Sequence, residues 1–195
     1  MNKILFFDLE TTGTNPAKHG IHQISGKVVI DGVVKEEFNI HVQPNPQAII
    51  EDEALQVAGV TREEIATYVP FNVGYRQFVS IIEKYVDRYD KSDKFFLAGY
   101  NVAAFDAPFL RGFFLQNGDK YFGSYFWSST IDVMVLAIYA LMDERAKMEN
   151  FKQGTVAKQL GIVVDDNKLH DALYDIEICH EIYKAVGERL IARRC

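Results

Sequence analysis

Residues 3–9 constrain the fold most. Ile4, Leu5, Phe6, Phe7 and Leu9 put apolar side chains on both faces of an extended segment. Such a strand is stable only when both faces are covered, so 3–9 is expected in the middle of a sheet. Side chains two apart share a face. The stripe of Ile4 and Phe6 therefore continues into Asp8 and Glu10, whose Cα atoms are roughly 7 Å apart on a strand. Two like charges at the end of an apolar stripe repel and drift toward protonation unless a cation lies between them. Hard, oxygen-preferring ions such as Mg²⁺ or Mn²⁺ meet that need. The same residues also fit a polar strand end that runs into a turn at Thr11-Thr12-Gly13.

The rest of the chain alternates in a way that suits a central strand. Segments 21–30 and 33–43 read as strands joined by Asp31-Gly32, a hairpin signal. Helical patterns follow near 51–58, 61–66 and 74–88, a buried strand at 94–100, and a helix at about 107–117 with Pro108 in its first turn. Further helices are expected near 131–146, 153–160 and 171–190. Strands first, then alternating helix and strand, predict an α/β fold with a mixed sheet between helices. No repeat or linker divides the chain, so residues 1–195 are expected to form a single domain.

Two further clusters carry chemistry. Asn101 to Leu110 ends a buried strand and opens a helix, with Asp106 at the expected N-cap position. Capping explains an Asp there, and so does a carboxylate facing Asp8 from a neighbouring strand end. Asn101 is read either as a turn residue or as one that orients the strand end or the substrate. In His170-Asp171-Ala172-Leu173-Tyr174-Asp175, Asp175 lies on the edge of an apolar stripe formed by Ala172, Ile176, Cys179, Tyr183, Val186 and Leu190. A carboxylate turned toward a core is costly unless paired or metal-bound. His170 precedes Asp175 by five residues, which fits a loop residue folded over the site, and Asp171 fits a helix start. His19, His22, His41 and His180 are expected on the surface or in loops, His22 being also a candidate substrate contact. Lys18, Arg111, Lys152 and Lys168 read as solvated charges, some of which could instead line a short groove.

The formal net charge of −6 argues against a protein that coats nucleic acid through a broad basic surface. It leaves room for an enzyme that grips a strand end. The two cysteines form neither a disulfide framework nor a metal-type spacing. No apolar run is long enough for a signal peptide or a membrane span, and a cytoplasmic location is expected.

Taken together, the three clusters resemble the exonuclease motifs of the DEDD superfamily in its histidine-containing DEDDh branch, which includes polymerase III proofreading subunits, ribonuclease T, oligoribonuclease and the three-prime repair exonucleases. Asp8-Leu9-Glu10-Thr11-Thr12-Gly13 is similar to the first motif, Asn101 to Asp106 to the second and His170 to Asp175 to the third. Glu53-Ala54-Leu55, Val60-Thr61, Thr130-Ile131-Asp132 and the stretch from Val156 to Ile162 also look like the family, whereas Gln23 stands where it often has Glu.

The resemblance implies an RNase H-like fold, a five-stranded mixed sheet flanked by helices on both sides. It implies a metal-dependent 3′–5′ exonuclease that releases nucleoside monophosphates by two-metal-ion hydrolysis. Asp8, Glu10, Asp106 and Asp175 would hold two divalent ions, Mg²⁺ or Mn²⁺, and His170 would be the general base. Thr11, Thr12, Gly13, Asn101 and Phe105 would meet the substrate, although core packing is the plainer role for Phe105. The expected partner is nucleic acid with a free 3′ end. Single-stranded DNA is favoured, with RNA or a non-catalytic nucleic-acid-binding module as the alternatives.

Overall fold

Segment 3–9 does lie at the centre of a sheet. The computed structural model describes residues 1–165 and 172–192. Strand β1 (Lys3–Thr11) pairs antiparallel with β2 (Ile21–Ile30), which pairs antiparallel with β3 (Val33–His41). On its other side β1 pairs parallel with β4 (Phe96–Gly99), and β4 pairs parallel with β5 (Ile131–Asp132). The order β3-β2-β1-β4-β5 gives the five-stranded mixed sheet that the resemblance implies. Asp31 and Gly32 turn the β2–β3 hairpin with positive φ at both positions, 49° and 81°, which matches the twist of tight hairpins.

Helices α1 (Asp52–Ala58), α2 (Arg62–Ala66) and α3 (Phe71–Ile82) follow β3. Next come α4 (Asp106–Gln116), α5 (Phe122–Tyr125), α6 (Val133–Leu141), α7 (Gln153–Gln159) and α8 (Ala172–Ala192). The helix expected at 131–146 divides into β5, α6 and a 3₁₀ segment at Met142–Lys147. Asp132 starts α6 because its carboxylate accepts from the N–H groups of Met134 and Val135. Elements as short as α5 and β5 carry no periodicity to read.

The two faces of β1 build two cores. Leu5, Phe7 and Leu9 join Leu97, Phe78 and Ile82 of α3, and the phenylalanines of α4. Edge-to-face contacts such as Phe78–Phe114 and Phe114–Phe122 knit that side. Phe6 joins Ala98 with α6, α7 and α8, through residues such as Ala137, Val156, Ile176 and Ile182. The face of Phe6, which carries Asp8 and Glu10, is therefore the one that α8 covers. Lys27, the register partner of Phe6, is buried there and pairs with Glu37 and Glu177, tying α8 to β2 and β3.

Of the four remaining histidines, His22 and His180 depart from the expected surface or loop placement, whereas His19, in the loop between β1 and β2, and the exposed His41 keep to it. His19, His22 and His180 are buried, and only His41 is exposed. His180 packs its ring on Phe6, and His19 Nδ1 accepts from the Asn15 N–H. The local pattern did not reveal this because an imidazole joins an apolar ring body, which can pack in a core, to a polar edge, so its presence alone does not mark either environment. His22 is fully buried, which removes it as a substrate contact, and neither ring nitrogen has a hydrogen-bond partner among the described residues. Burial, with a smaller contribution from His41, pulls its pKa down to about 4.

The unfolded chain thus binds a proton at His22 below its ordinary pKa, whereas the folded chain does so only near pH 4. This group alone makes stability rise with pH across that window, by up to about 3 kcal/mol. His22→Leu should remove that slope and raise stability at pH 5 by roughly 1–3 kcal/mol. Urea unfolding of both proteins between pH 4.5 and 7.5 checks it. The carboxylates are common to both proteins, so the difference curve isolates His22.

Candidate active site

The C-terminal end of β1 collects carboxylates from three elements. Asp8 and Glu10 leave β1 on the α8 side. Asp175 comes from the first turn of α8. Asp106 reaches the same strand end from α4, on the opposite layer. It is the first helical residue of α4 and is buried, with Phe105 in the N-cap position. Its Oδ1 accepts from the Leu9 N–H at 3.2 Å. The capping role expected for Asp106 is thus replaced by a bond across to β1, between its two acids in sequence.

The acids sense one another. Burial first, and then the charges of Asp106, Glu10 and Asp175, push the Asp8 carboxyl well above the ordinary range. Burial and Asp175 bring Glu10 to about 7. Burial likewise brings Asp106 to about 7, with Glu10 and Asp132 adding to the rise and the N–H groups of Asp106 and Leu9 opposing it. Asp8, Asp175, Tyr100, Gln153 and Cys179 line a cavity of about 10 Å³. Among the described residues, no three His, Cys, Asp or Glu side chains form a ready-made metal-ligating cluster. The carboxylates share one field without closing into a cage, as repelling charges do. On the neighbouring strand the site is neutral. Gln23 and Ser25 are the register partners of Glu10 and Asp8, and both hydrogen-bond to Asn39. A Glu at position 23 would add a further negative charge beside the cluster.

The residues expected to meet the substrate have internal roles. The Thr12 hydroxyl donates to Ile49 O and accepts from the Gly20 N–H, while its own N–H and C=O bind Gly20 and Glu51. The Thr11 hydroxyl donates to Gly13 O. A Cβ on Gly13 would stand 2.5 Å from the His19 ring, so close packing on that histidine already requires the glycine. Asn101 has a positive φ of 62° and its C=O accepts from Ala104 and Phe105, a turn role. Phe105 is half-buried and packs on Phe109. His170 and Asp171 lie outside the described residues.

Asp132 lies in a segment that the sequence marks as family-like without giving the residue a role. Besides capping α6, it accepts from the N–H groups of Asn101 and Ala103, at 3.2 and 3.1 Å. It therefore clamps the turn that delivers Asp106. Its signal was an Asp directly before the apolar run 133–141. Gln153 is a second residue to which the sequence gives no role. Its side-chain amide donates to Asp175 O at 2.7 Å and docks α7 on the start of α8.

Residues 5–183 match the RNase T exonuclease family. The chain belongs to that family. It is 25% identical over 189 residues to the DNA polymerase III subunit epsilon of Pasteurella multocida, covering 92% of this chain and 66% of that protein. It is 22% identical over 177 residues to the PolC-type DNA polymerase III of Mycoplasmopsis pulmonis, covering 91% of this chain and 11% of the polymerase. The fold matches E. coli exonuclease I, solved with a dT13 oligonucleotide, with a TM-score of 0.77 at 22% identity, over 97% of this chain and 42% of that one. The chain thus spans less than two thirds of these relatives. The family and the RNase H-like fold implied by the three motifs are both borne out.

Two outcomes follow from the site. Asp132→Ala leaves buried N–H groups without an acceptor and should cost about 2–4 kcal/mol, with Asp132→Asn recovering part of it in urea melts. For Asp8, a folded-state pKa above the unfolded value means that stability is lost as pH rises through it. In EDTA, Asp8→Asn should therefore stabilise the protein more at pH 8 than at pH 5, as read from melting temperatures.

Proposed function

We propose that this chain is a two-metal-ion 3′–5′ exonuclease that releases nucleoside monophosphates from the 3′ ends of single-stranded DNA. The observation that carries the reading is the convergence of Asp8, Glu10, Asp106 and Asp175 on the end of the central strand in a member of an exonuclease family. Exonuclease I, which shares the fold, was solved with dT13 and dA16 oligonucleotides, which favours a single DNA strand as substrate.

The donor set suits the ions. It is all carboxylate oxygen, the choice of hard divalent cations such as Mg²⁺ or Mn²⁺. The Cys179 thiol, in the same cavity, is buried and pushed well above its usual pKa, which leaves it protonated and a poor ligand. In this assignment Asp8, Glu10 and Asp175 would hold one ion, and Asp8 and Asp106 would hold the other. Bound there, the ions would neutralise the scissile phosphate and stabilise the attacking and leaving oxygens. The protein's own share is to position. The Leu9 N–H and the Asp132 clamp fix Asp106, and Gln153 fixes the start of α8. His170 would take the proton of the attacking water. The internally bonded Thr11-Thr12-Gly13 turn offers a rigid rim to the terminal nucleotide.

The test offers 5′-labelled single-stranded DNA and RNA to the protein with Mn²⁺ or EDTA. A DNA ladder shortening from the 3′ end in Mn²⁺ and absent in EDTA is expected. Trimming from the 5′ end, internal cuts, or full activity in EDTA would contradict the proposal, and faster digestion of RNA would reassign the substrate. Asp8→Ala should abolish the ladder in a folded protein. His170→Ala should lower turnover by about 10²- to 10⁴-fold while leaving Mn²⁺ binding in place.

A further inference from the structure

Beside Asp106 the surface opens into a groove that the carboxylate chemistry does not use. The start of α4 presents Ala107, Pro108 and Arg111 on one face, because residues three and four apart are neighbours on a helix. Facing them are Ser128, Ser129 and Thr130, the segment that leads into β5, and with Ala103 these residues bound an open hollow of about 550 Å³. A second hollow of about 480 Å³ shares Ala103 and Thr130 and continues over Val135 and Leu136 of α6. The two run together along the β5 edge of the sheet.

The chemistry of the first hollow is unusual for a chain with a net charge of −6. Its lining holds one cation and three hydroxyls, and no acid. Arg111 is exposed, its guanidinium 4.5 Å from the Phe122 ring centroid, and it forms no ion pair among the described residues. Ser128 follows Trp127, the one tryptophan of the chain, which is half-buried on Phe96 and carries Lys94 Nζ 5.2 Å from its ring. An arginine with hydroxyls suits phosphate oxygens. A partly exposed aromatic ring beside a cation suits a stacked base.

We infer that this groove holds the strand 5′ of the scissile phosphate, with Arg111 and the hydroxyls of Ser128, Ser129 and Thr130 taking a phosphate and Trp127 with Lys94 taking a nucleotide farther along. The inference rests on the exonuclease reading of the carboxylates. Continuity selects the occupant. The groove begins at Ala107, next to Asp106, and Arg111 lies about 7.5 Å along the helix axis from Asp106. A strand whose 3′ end is at the carboxylates reaches it directly.

The experiment uses the full chain and two oligothymidylates, one of two and one of ten nucleotides. In EDTA, titrating the longer strand should quench the intrinsic fluorescence of the single tryptophan. The salt dependence of that binding should weaken by a log–log slope of about 0.7 for each cation removed in Arg111→Ala and Lys94→Ala. With Mn²⁺, Arg111→Ala should lower the ratio of kcat/KM on the long strand to that on the dinucleotide about tenfold, chiefly through KM, the loss of one charged contact. Lys35→Ala, on the far edge strand, is the control for loss of a charge. No quenching, or the same salt slope and length ratio in a folded Arg111→Ala protein, overturns the groove. A wild-type chain that trims no 3′ end yet binds the long strand with an Arg111-dependent slope refutes the exonuclease reading and keeps the groove as a single-strand site.

Discussion

Repulsion among converging carboxylates, one buried and three half-buried, is the constraint around which the molecule is organised. β1 delivers Asp8 and Glu10 to its end, between the two helical layers that cover opposite faces of a five-stranded sheet. Each layer then contributes one further acid, Asp106 from α4 and Asp175 from α8. Burial and mutual charge lift Asp8, Glu10 and Asp106 away from their ordinary acidity. The folded chain tolerates this because the apolar stripes of β1 are covered on both sides, and burial of that area far outweighs one electrostatically strained corner.

Support for the strained corner comes from backbone N–H groups and from one further carboxylate, Asp132. The Leu9 N–H meets Asp106, and the turn at Asn101 is held by Asp132 through two backbone N–H groups. The neighbouring strand β2 offers Gln23 and Ser25, both bonded to Asn39 of β3, in place of a further charge. The site is held in shape by bonds that leave its carboxylate field uncompensated, an arrangement suited to divalent cations and to phosphate chemistry.

Much of this was legible in the sequence because it depends on period. Double-sided apolarity in 3–9 marked the central strand, the two-residue spacing of Asp8 and Glu10 put them on one face, and the stripe around Asp175 turned it inward. The hairpin at Asp31-Gly32 was legible through turn chemistry. What escaped depends on tertiary contact. Asp132 resembles any helix cap until β4 and β5 align and bring the N–H groups of Asn101 and Ala103 to it. Gly13 carries no sign in the sequence that the His19 ring stands where its Cβ would be. His22 carries no pattern that separates a surface imidazole from one sealed in the core.

The central claim is that the four carboxylates form one divalent-metal site. Calorimetric titration of Mn²⁺ into the wild type, Asp8→Asn and Asp106→Asn tests it most directly. The account predicts two ions per chain in the wild type, at most one in Asp106→Asn, and neither bound tightly in Asp8→Asn, because Asp8 is shared by both. Saturable binding that is the same in all three folded proteins, or none in the wild type, would contradict it.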